Sequence, residues 1–381
     1  MLFRSRILQA FDFLSLPHGG GAVDVIYKLS RALSAQGHDV TICAGDYGSD
    51  YAYLSGLGNV GLKLYHSYFN KHGVYLMPGL TSLDVRNYDV IHLHCYRSMQ
   101  NVVLAQKAIT SNIPYIIDAH GSTVHRTGRK KLLLDMFDML FGLSLIEKAK
   151  LVIAETEVGF VEWEKLGADT SRIRLQHPLL DTSEFVTLPD RGSFRQVHGL
   201  DDTPIVLFLG RIHQAKGIDT LVDAVRLLHD RGTDTRLVIA GQDDGYRDSL
   251  SGMLEGTSIK VVFTGYLSGK DKLAALVDAN LLVQPSIYEA GARPSLEAIM
   301  CNTPVIVSKD TGAGREIASF DGGLLFETGN AAELADRILE ILRKPDEARI
   351  RTEKAKGYIE ANLSLTNGIA GYEKIYEEAV V

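Results

Sequence analysis

Three cysteines in 381 residues, Cys43, Cys95 and Cys301, are too few and too widely spaced for a disulfide framework or a zinc site. They lie in or beside apolar runs and read as small buried hydrophobes of a reducing compartment. No apolar run approaches the about 20 residues needed to cross a bilayer. Positive charge is not in excess: a formal net charge of -7, with both signs interspersed, excludes the basic surface that nucleic-acid phosphates select. No low-complexity stretch is present, which excludes a disordered chain. Residues 1–16 mix Arg4, Arg6 and Asp12 into their apolar residues, as expected of a first strand rather than a secretory signal, so a cytoplasmic protein is expected.

What is present is the composition of a globular enzyme, with 45% hydrophobic and 23% charged residues. The length exceeds a domain of roughly 150 residues, so two domains are expected. Short apolar runs alternate with amphipathic helical patterns, the mark of parallel sheets covered by helices. Residues 7–14, 40–44, 90–94, 115–119 and 151–154 form one set of strands, and 205–209, 236–240, 260–264, 281–285 and 304–307 a second. Each set is expected to build its own doubly wound sheet. Residues 178–203 are rich in Asp, Pro and Gly and read as the linker, which puts the domains at 1–182 and 183–362. The closing segment 363–381 carries Ile369, Tyr372, Ile375 and Tyr376 at helical spacing and is expected to return to the first domain.

Three constellations carry candidate chemistry. His18-Gly19-Gly20-Gly21 follows the opening strand and precedes a stripe of Ala22, Val25, Ile26, Leu29 and Leu33. A glycine turn entering a helix lets main-chain amides approach an anion; a tight turn with no ligand is the alternative. The spacing is not Gly-x-Gly-x-x-Gly, which argues against a nicotinamide or flavin enzyme. Gly210-Arg211, with Lys216-Gly217 just beyond, ends another strand, where two fixed positive charges can meet a diphosphate; a solvated surface pair is the bland reading. The segment 285–298 holds Glu289 and Glu297 on either side of a Gly/Ala/Pro turn. Read singly, Glu297 is an ordinary first-turn helix acid and Glu289 a solvated loop acid.

Taken in order and spacing, Gly20-Gly21, Gly210-Arg211 with Lys216-Gly217, and Glu289 and Glu297 with seven intervening residues resemble family 4 of the glycosyltransferases. The likeness spans nearly the whole chain, including Cys301-Asn302-Thr303-Pro304 and the closing Tyr372-Glu373-Lys374-Ile375-Tyr376. It implies an α/β chain of the GT-B fold, two Rossmann-like doubly wound parallel-sheet domains facing a central cleft. The activity implied is retaining transfer of a sugar from a UDP or GDP sugar to a carbohydrate or lipid-linked acceptor, in surface polysaccharide or glycoconjugate synthesis, with no cofactor and no metal. Arg211 and Lys216 would hold the donor diphosphate, Glu297 the ribose, and Glu289 the hydroxyls of the transferred sugar. Main-chain groups of Gly291, Ala292 and Arg293, together with Gly20, Gly21 and Tyr266, would complete the donor site. His120, in Asp118-Ala119-His120-Gly121, matches the family's strand-end histidine and would join Glu289 as a catalytic residue. Ala290 and Gly291 stand where the family usually has Gly and Phe. His92 and His94 read as structural or acceptor-side histidines.

Arg126, Arg129, Lys130 and Lys131 run straight into the apolar segment 132–141. A basic patch beside a Met- and Phe-rich helix suits an anionic membrane surface or a lipid-linked acceptor, and a peripheral place on the cytoplasmic face of the membrane. A solvated charge run ahead of a core helix is the alternative. The competing functions are a non-catalytic nucleotide-sugar-binding subunit of the same fold and a sugar-nucleotide epimerase. Loss of Lys216 or Glu289 would mark the first, and both are present.

Overall fold

Apart from Gln9, the run Ile7-Leu8-Gln9-Ala10-Phe11 is apolar on both sides of a strand, which is stable only inside a sheet covered on both faces. The computed structural model describes residues 4–71, 74–123, 129–177 and 179–381, and places this run at the centre of the first of two sheets. Its strands are β1 (Arg6–Phe13), β2 (Asp39–Gly45) and β3 (Gly61–Tyr65), then, after a separate antiparallel hairpin of β4 (Phe69–Lys71) and β5 (Val74–Leu76), β6 (Val90–His94), β7 (Tyr115–Asp118), β8 (Leu151–Ala154) and β9 (Ile173–Leu175). They lie in the order β3-β2-β1-β6-β7-β8-β9, all parallel.

Alternation sends Ile7 and Leu8 to opposite faces. On the Ile7 side, Val90, Ile116 and Ile153 meet the helices Leu16–Ala35 and Leu365–Val380 through Ile26, Leu29, Tyr372 and Tyr376. On the Leu8 side, Ile91, Leu93 and Ile117 meet Leu104, Tyr96 and Trp163. The Trp163 indole N–H is satisfied by the carbonyl of Ile153 at 2.7 Å.

The second sheet is built from β10 (Ile205–Leu209), β11 (Arg236–Ala240), β12 (Lys260–Gly265), β13 (Leu281–Gln284), β14 (Val305–Ser308) and β15 (Leu324–Phe326). Their order is β12-β11-β10-β13-β14-β15, again parallel. Val206, Phe208, Ile239 and Leu281 pack under Leu221, Val225, Leu334 and Ile338 of the helices Ile218–Asp230 and Ala331–Arg343.

Two compact units result: Met1–Asp181 with Leu365–Val381, and Thr182–Ser364. The closing helix belongs to the first unit. In each sheet the strand order reverses direction at one place, between β1 and β6 in the first and between β10 and β13 in the second. Such switch points are where open α/β sheets bind ligands, beyond the carboxyl ends of the strands. The short strands β3, β9 and β15 are edges that no long apolar run announces: β3 carries Lys63 and β9 carries Arg174 at its centre.

Tyr372 is fully buried between the closing helix and the first sheet. Its replacement by Ala is expected to cost about 3–5 kcal/mol, the usual range for deleting a buried aromatic ring. Trp163 is the single tryptophan and lies in the first unit, so its fluorescence reads that unit's unfolding alone. An unchanged urea midpoint of this signal in Tyr372→Ala would show that the helix is not part of the unit's cooperative core.

Candidate active site

At its carboxyl edge, the face of the first sheet under the closing helix changes from aliphatic to polar. Ile7 gives way to Gln9, Val90 to His92 and His94, and Ile116 to Asp118; in register Gln9 lies opposite His92 and His94 opposite Asp118. Each of these side chains is fully buried. Buried polar groups require partners; Gln9, His92 and His94 are linked into one chain, while both Asp118 carboxylate oxygens and Nε2 of His92 are left without a hydrogen bond among the described residues.

Glu155, just past β8, approaches Nδ1 of His120 at 2.6 Å. Nε2 of His120 lies 2.7 Å from Nδ1 of His94, and Nε2 of His94 lies 2.6 Å from the Gln9 amide oxygen. The Gln9 amide nitrogen donates to the Tyr376 hydroxyl at 2.9 Å, and that hydroxyl lies 2.7 Å from Nδ1 of His92. Six side chains from four strand ends and the closing helix thus form one continuous chain.

Two residues at these strand ends are held in the left-handed region without being glycine, Cys95 at φ 65° and His120 at φ 46°. Each such residue costs about 1–3 kcal/mol and persists only where its surroundings over-determine it. Those surroundings are visible. The amide of Cys95 bonds the carbonyl of Asp118 at 2.8 Å, and Asn101 donates to the carbonyls of His94 and Cys95. The Ser122 hydroxyl accepts from the amide of Tyr96 and donates to the carbonyl of Ala119. Arg97 donates to both oxygens of Asp138 and to the carbonyl of Ser122.

Electrostatics follows from burial. Burial disfavours a charged His120, but Asp118, whose oxygen lies 3.8 Å from Nδ1, and Glu155 outweigh it and hold the ring above the ordinary histidine range. Burial raises the Asp118 carboxyl and lowers both His92 and His94 far enough to keep those rings neutral. Asp12, at the end of β1, is also pushed up by burial, to about 7, against a hydrogen bond from Ser98. Two sets of ligand-type atoms lie within 4.8 Å, those of His92, His94 and Asp118 and those of Asp118, His120 and Glu155. Both nitrogens of His94 and of His120 are already engaged in the chain, so a metal ion there would have to break it.

The glycines expected as a turn before a helix lie inside it. The helix Leu16–Ala35 begins with Pro17 in its first turn, and the amide of Gly19 already bonds the carbonyl of Ser15 at 2.8 Å. Gly20 and Gly21 therefore fall past the first-turn positions whose amides are free to meet an anion. The cause is Pro17, whose fixed φ starts a helix earlier than the glycines alone would allow.

In the second unit the switch-point strands carry the expected residues. Past β10, Arg211 pairs with Asp244 at 2.7 Å, and Lys216 pairs with Glu289, past β13, at 2.5 Å. The Ser286 hydroxyl donates to the same carboxylate at 3.0 Å. Gly217 allows this meeting: it is left-handed at φ 60°, and a Cβ there would stand 2.1 Å from the carbonyl oxygen of Pro285. Glu297, on the helix Arg293–Met300, pairs with Lys272 at 3.0 Å and with Arg293 at 3.4 Å.

The turn from Glu289 to Ala292 is fixed by side chains behind it. The Gln284 amide donates to the carbonyl of Gly291 and accepts from Ser295, while buried Glu316 accepts the amide of Ala292 at 2.7 Å. Tyr266 follows β12 and is partly exposed. Of the basic run, Arg126 lies outside the described residues; Arg129, Lys130 and Lys131 open the helix Arg129–Phe137, where Lys131 pairs with Asp135 at 2.6 Å. Gln9, Glu155, Tyr376, Gln284 and Glu316 escaped the sequence reading. The first four share a recoverable signal, a polar residue within or just past an apolar strand or on the stripe of a closing helix.

Comparison with known proteins accounts for this pairing of units. The family Glycosyl transferases group 1 matches residues 190–358, and Glycosyltransferase Family 4 matches residues 19–184. The chain belongs to the family 4 glycosyltransferases. Among relatives of this glycosyltransferase is an uncharacterized glycosyltransferase of Methanocaldococcus jannaschii, 26% identical over 84% of the chain and 85% of its own length. Another is the GDP-mannose-dependent alpha-(1-6)-phosphatidylinositol dimannoside mannosyltransferase of Mycobacterium tuberculosis, 25% identical over 93% and 92%. The structure of Anabaena HepE in complex with UDP and glucose superposes with a TM-score of 0.80 at 18% identity, over 98% of this chain and 99% of that one. Sucrose-phosphate synthase of Thermosynechococcus elongatus reaches 0.78 at 20% identity over 98% of each chain. These likenesses establish the GT-B fold.

Gly217→Ala is expected to push the loops after β10 and β13 apart and separate Lys216 from Glu289. A loss of about 1–3 kcal/mol, the cost of an unfavourable backbone conformation, should appear in thermal unfolding. Unchanged stability would mean the two loops are not locked together at this point.

Proposed function

We propose that this glycosyltransferase moves a sugar from a nucleoside diphosphate sugar to an acceptor hydroxyl with retention at the anomeric carbon and without a metal. The observation that carries the reading is the meeting of Lys216, Glu289 and Ser286 at the switch point of the second sheet. In this reading Lys216 and Arg211 counter the diphosphate, Glu289 takes sugar hydroxyls, Glu297 takes the ribose, and main-chain groups of Gly291, Ala292 and Arg293 line the turn. The glycosidic C–O bond to phosphate breaks, a C–O bond to the acceptor forms on the same face, and the acceptor proton passes to the leaving phosphate oxygen. Two fixed cations stabilise that departing charge, which is the main work of such a site. Relatives of similar length support a nucleotide-sugar donor, since one is GDP-mannose-dependent and solved neighbours hold UDP or UDP-glucose. The first unit, with His120 as its charged centre, serves the acceptor.

The acceptor reading extends to a lipid surface through a specific feature. Leu132, Leu133, Met136, Met139, Leu140 and Leu143 are all exposed, while Gly142, Leu145 and Ile146 on the other side of the same helical stretch are buried. A helix apolar on both sides has one side without a protein partner, and the adjoining Arg126, Arg129, Lys130 and Lys131 complement anionic headgroups.

Glu289→Ala and Lys216→Met are expected to keep the fold and lower transfer by about 10²–10³-fold or more, the scale for removing one charge-stabilising group. The assay is nucleoside diphosphate release over a panel of UDP and GDP sugars; normal turnover by Glu289→Ala would refute the assignment. In flotation with phosphatidylglycerol-containing vesicles, the wild type should float at low salt, and Met139→Asp with Leu140→Asp should stay at the bottom. Equal recovery of both would remove the membrane from this reading.

A further inference from the structure

We propose that Glu155 is a positioning residue for His120. Its carboxylate, with the buried chain from His94 through Gln9 and Tyr376 to His92, holds the His120 ring in one place with a proton on both nitrogens. The inference deepens the reading of His120 as the charged centre of the acceptor unit and rests on it.

Donors and acceptors along the chain fix where its protons lie. Gln9 has one donor end and one acceptor end. Its nitrogen faces the Tyr376 hydroxyl and its oxygen faces Nε2 of His94. His94 must therefore carry its proton on Nε2, which leaves Nδ1 as a lone pair. Nε2 of His120, 2.7 Å from that lone pair, must donate, and Nδ1 of His120, 2.6 Å from the Glu155 carboxylate, must donate as well. A ring that donates from both nitrogens is an imidazolium. At the far end the Tyr376 hydroxyl, having accepted from Gln9, donates to Nδ1 of His92.

Turning the Gln9 amide over would reverse the protons from His92 to Nε2 of His120 and leave His120 neutral, with Nδ1 still donating to Glu155. The two acids choose between these arrangements. Asp118 and Glu155 are both largely withdrawn from water, and among the described residues His120 is the ion-pair partner of each. Two carboxylates beside one imidazole favour its charged form.

The other titratable groups around the ring and its acids are His92, His94 and Cys95 from β6 and its end, Asp12 from β1, His177 from beyond β9, and Tyr372 and Tyr376 from the closing helix. Burial lowers His92, His94 and His177 and keeps Cys95, Tyr372 and Tyr376 protonated, while His120, flanked by both acids, is the histidine raised. Glu155 lies immediately before the helix Glu157–Lys165 and its cap Thr156, and its side chain is turned from that helix toward the end of β7.

The test is histidine nitrogen NMR on the full chain labelled with 15N-histidine, His120 being identified by the signals lost in His120→Asn. In the wild type both His120 nitrogens should be protonated at pH 7, and His94 should be a single tautomer protonated at Nε2. Glu155→Gln keeps a hydrogen-bond acceptor and removes the charge, so the His120 titration midpoint should fall by about one pH unit or more. Tyr376→Phe deletes the acceptor that orients Gln9, so part of the His94 population should carry its proton on Nδ1 instead, and His120 should be neutral in that same fraction. A neutral His120 at pH 7 in the wild type, or an unmoved midpoint in Glu155→Gln, overturns the proposal. None of these readings needs turnover: a wild type that transfers no sugar yet shows the expected titrations would sink the proposed function and leave this inference standing.

Discussion

In a parallel sheet every strand ends at the same edge, so the loops that must leave the hydrogen-bonded ladder do so side by side. Where the strand order reverses, neighbouring loops diverge to opposite faces and leave room for side chains between them. Nearly every chemically informative residue of this glycosyltransferase obeys that constraint. Gln9, Asp12, His94, Asp118, His120 and Glu155 gather at the carboxyl edge of the first sheet, and Arg211, Lys216, Ser286 and Glu289 at that of the second. Register does the remaining alignment. Gln9 is opposite His92, and one step further along the same face His94 is opposite Asp118, so this face of β1, β6 and β7 turns polar over two successive levels, and the tyrosines of the closing helix cover it.

Stability alone does not account for that polar layer. Removing water from a set of ionisable groups costs several kcal/mol per charge, and well-packed apolar residues of similar volume commonly do as well or better. A buried chain is favourable only when every member is satisfied, and a single missing partner leaves a costly orphan. The sheet could have been filled here with the Val and Ile that fill the same face two residues before Gln9, His92 and Asp118. Left-handed backbone at Cys95 and His120 adds further strain at the same place. Expense concentrated at a strand edge, and absent from the equivalent level of the aliphatic core, is the pattern of a site maintained for chemistry.

Much of this was legible in the sequence, and the limits have physical reasons. The central strands announced themselves because both faces are buried, giving unbroken apolar runs such as Leu281-Leu282-Val283. The edges β3, β9 and β15 did not, since an edge strand needs one apolar face at most and carries Lys63 or Arg174 without penalty. Lys216 and Glu289 could be named from local motifs, yet their mutual contact depends on Gly217 passing under the carbonyl of Pro285 and could not be read from spacing. His92 and His94 read in isolation as structural or acceptor-side histidines. Their meaning comes from Gln9, Glu155 and Tyr376, which are distant in sequence and meet only once β1, β6, β7, β8 and the closing helix are assembled. The glycines at 19–21 misled because a glycine cluster signals a turn unless, as here, a proline ahead of it has already started the helix.

The exposed apolar stripe of the first unit is not an independent appendage. Asp138 begins the π-helical turn Asp138–Gly142 in the middle of that stretch, and Arg97 grips it with two nitrogens while a third contact reaches the carbonyl of Ser122 in the His120 loop. The guanidinium is almost fully buried, so the fork is not a loose surface pair. Gly142 sits so close to the hydroxyl of Tyr96 that a Cβ would stand 2.1 Å from it, which presses the same turn against the end of β6. The inner side of the helix is thereby bolted to the loops that follow β6 and β7, the second of which carries His120, and the wider π turn accommodates the bolt. The outer stripe is left to face whatever lies outside the protein. A contact made there is rigidly connected, through one arginine, to the loop that holds the charged histidine.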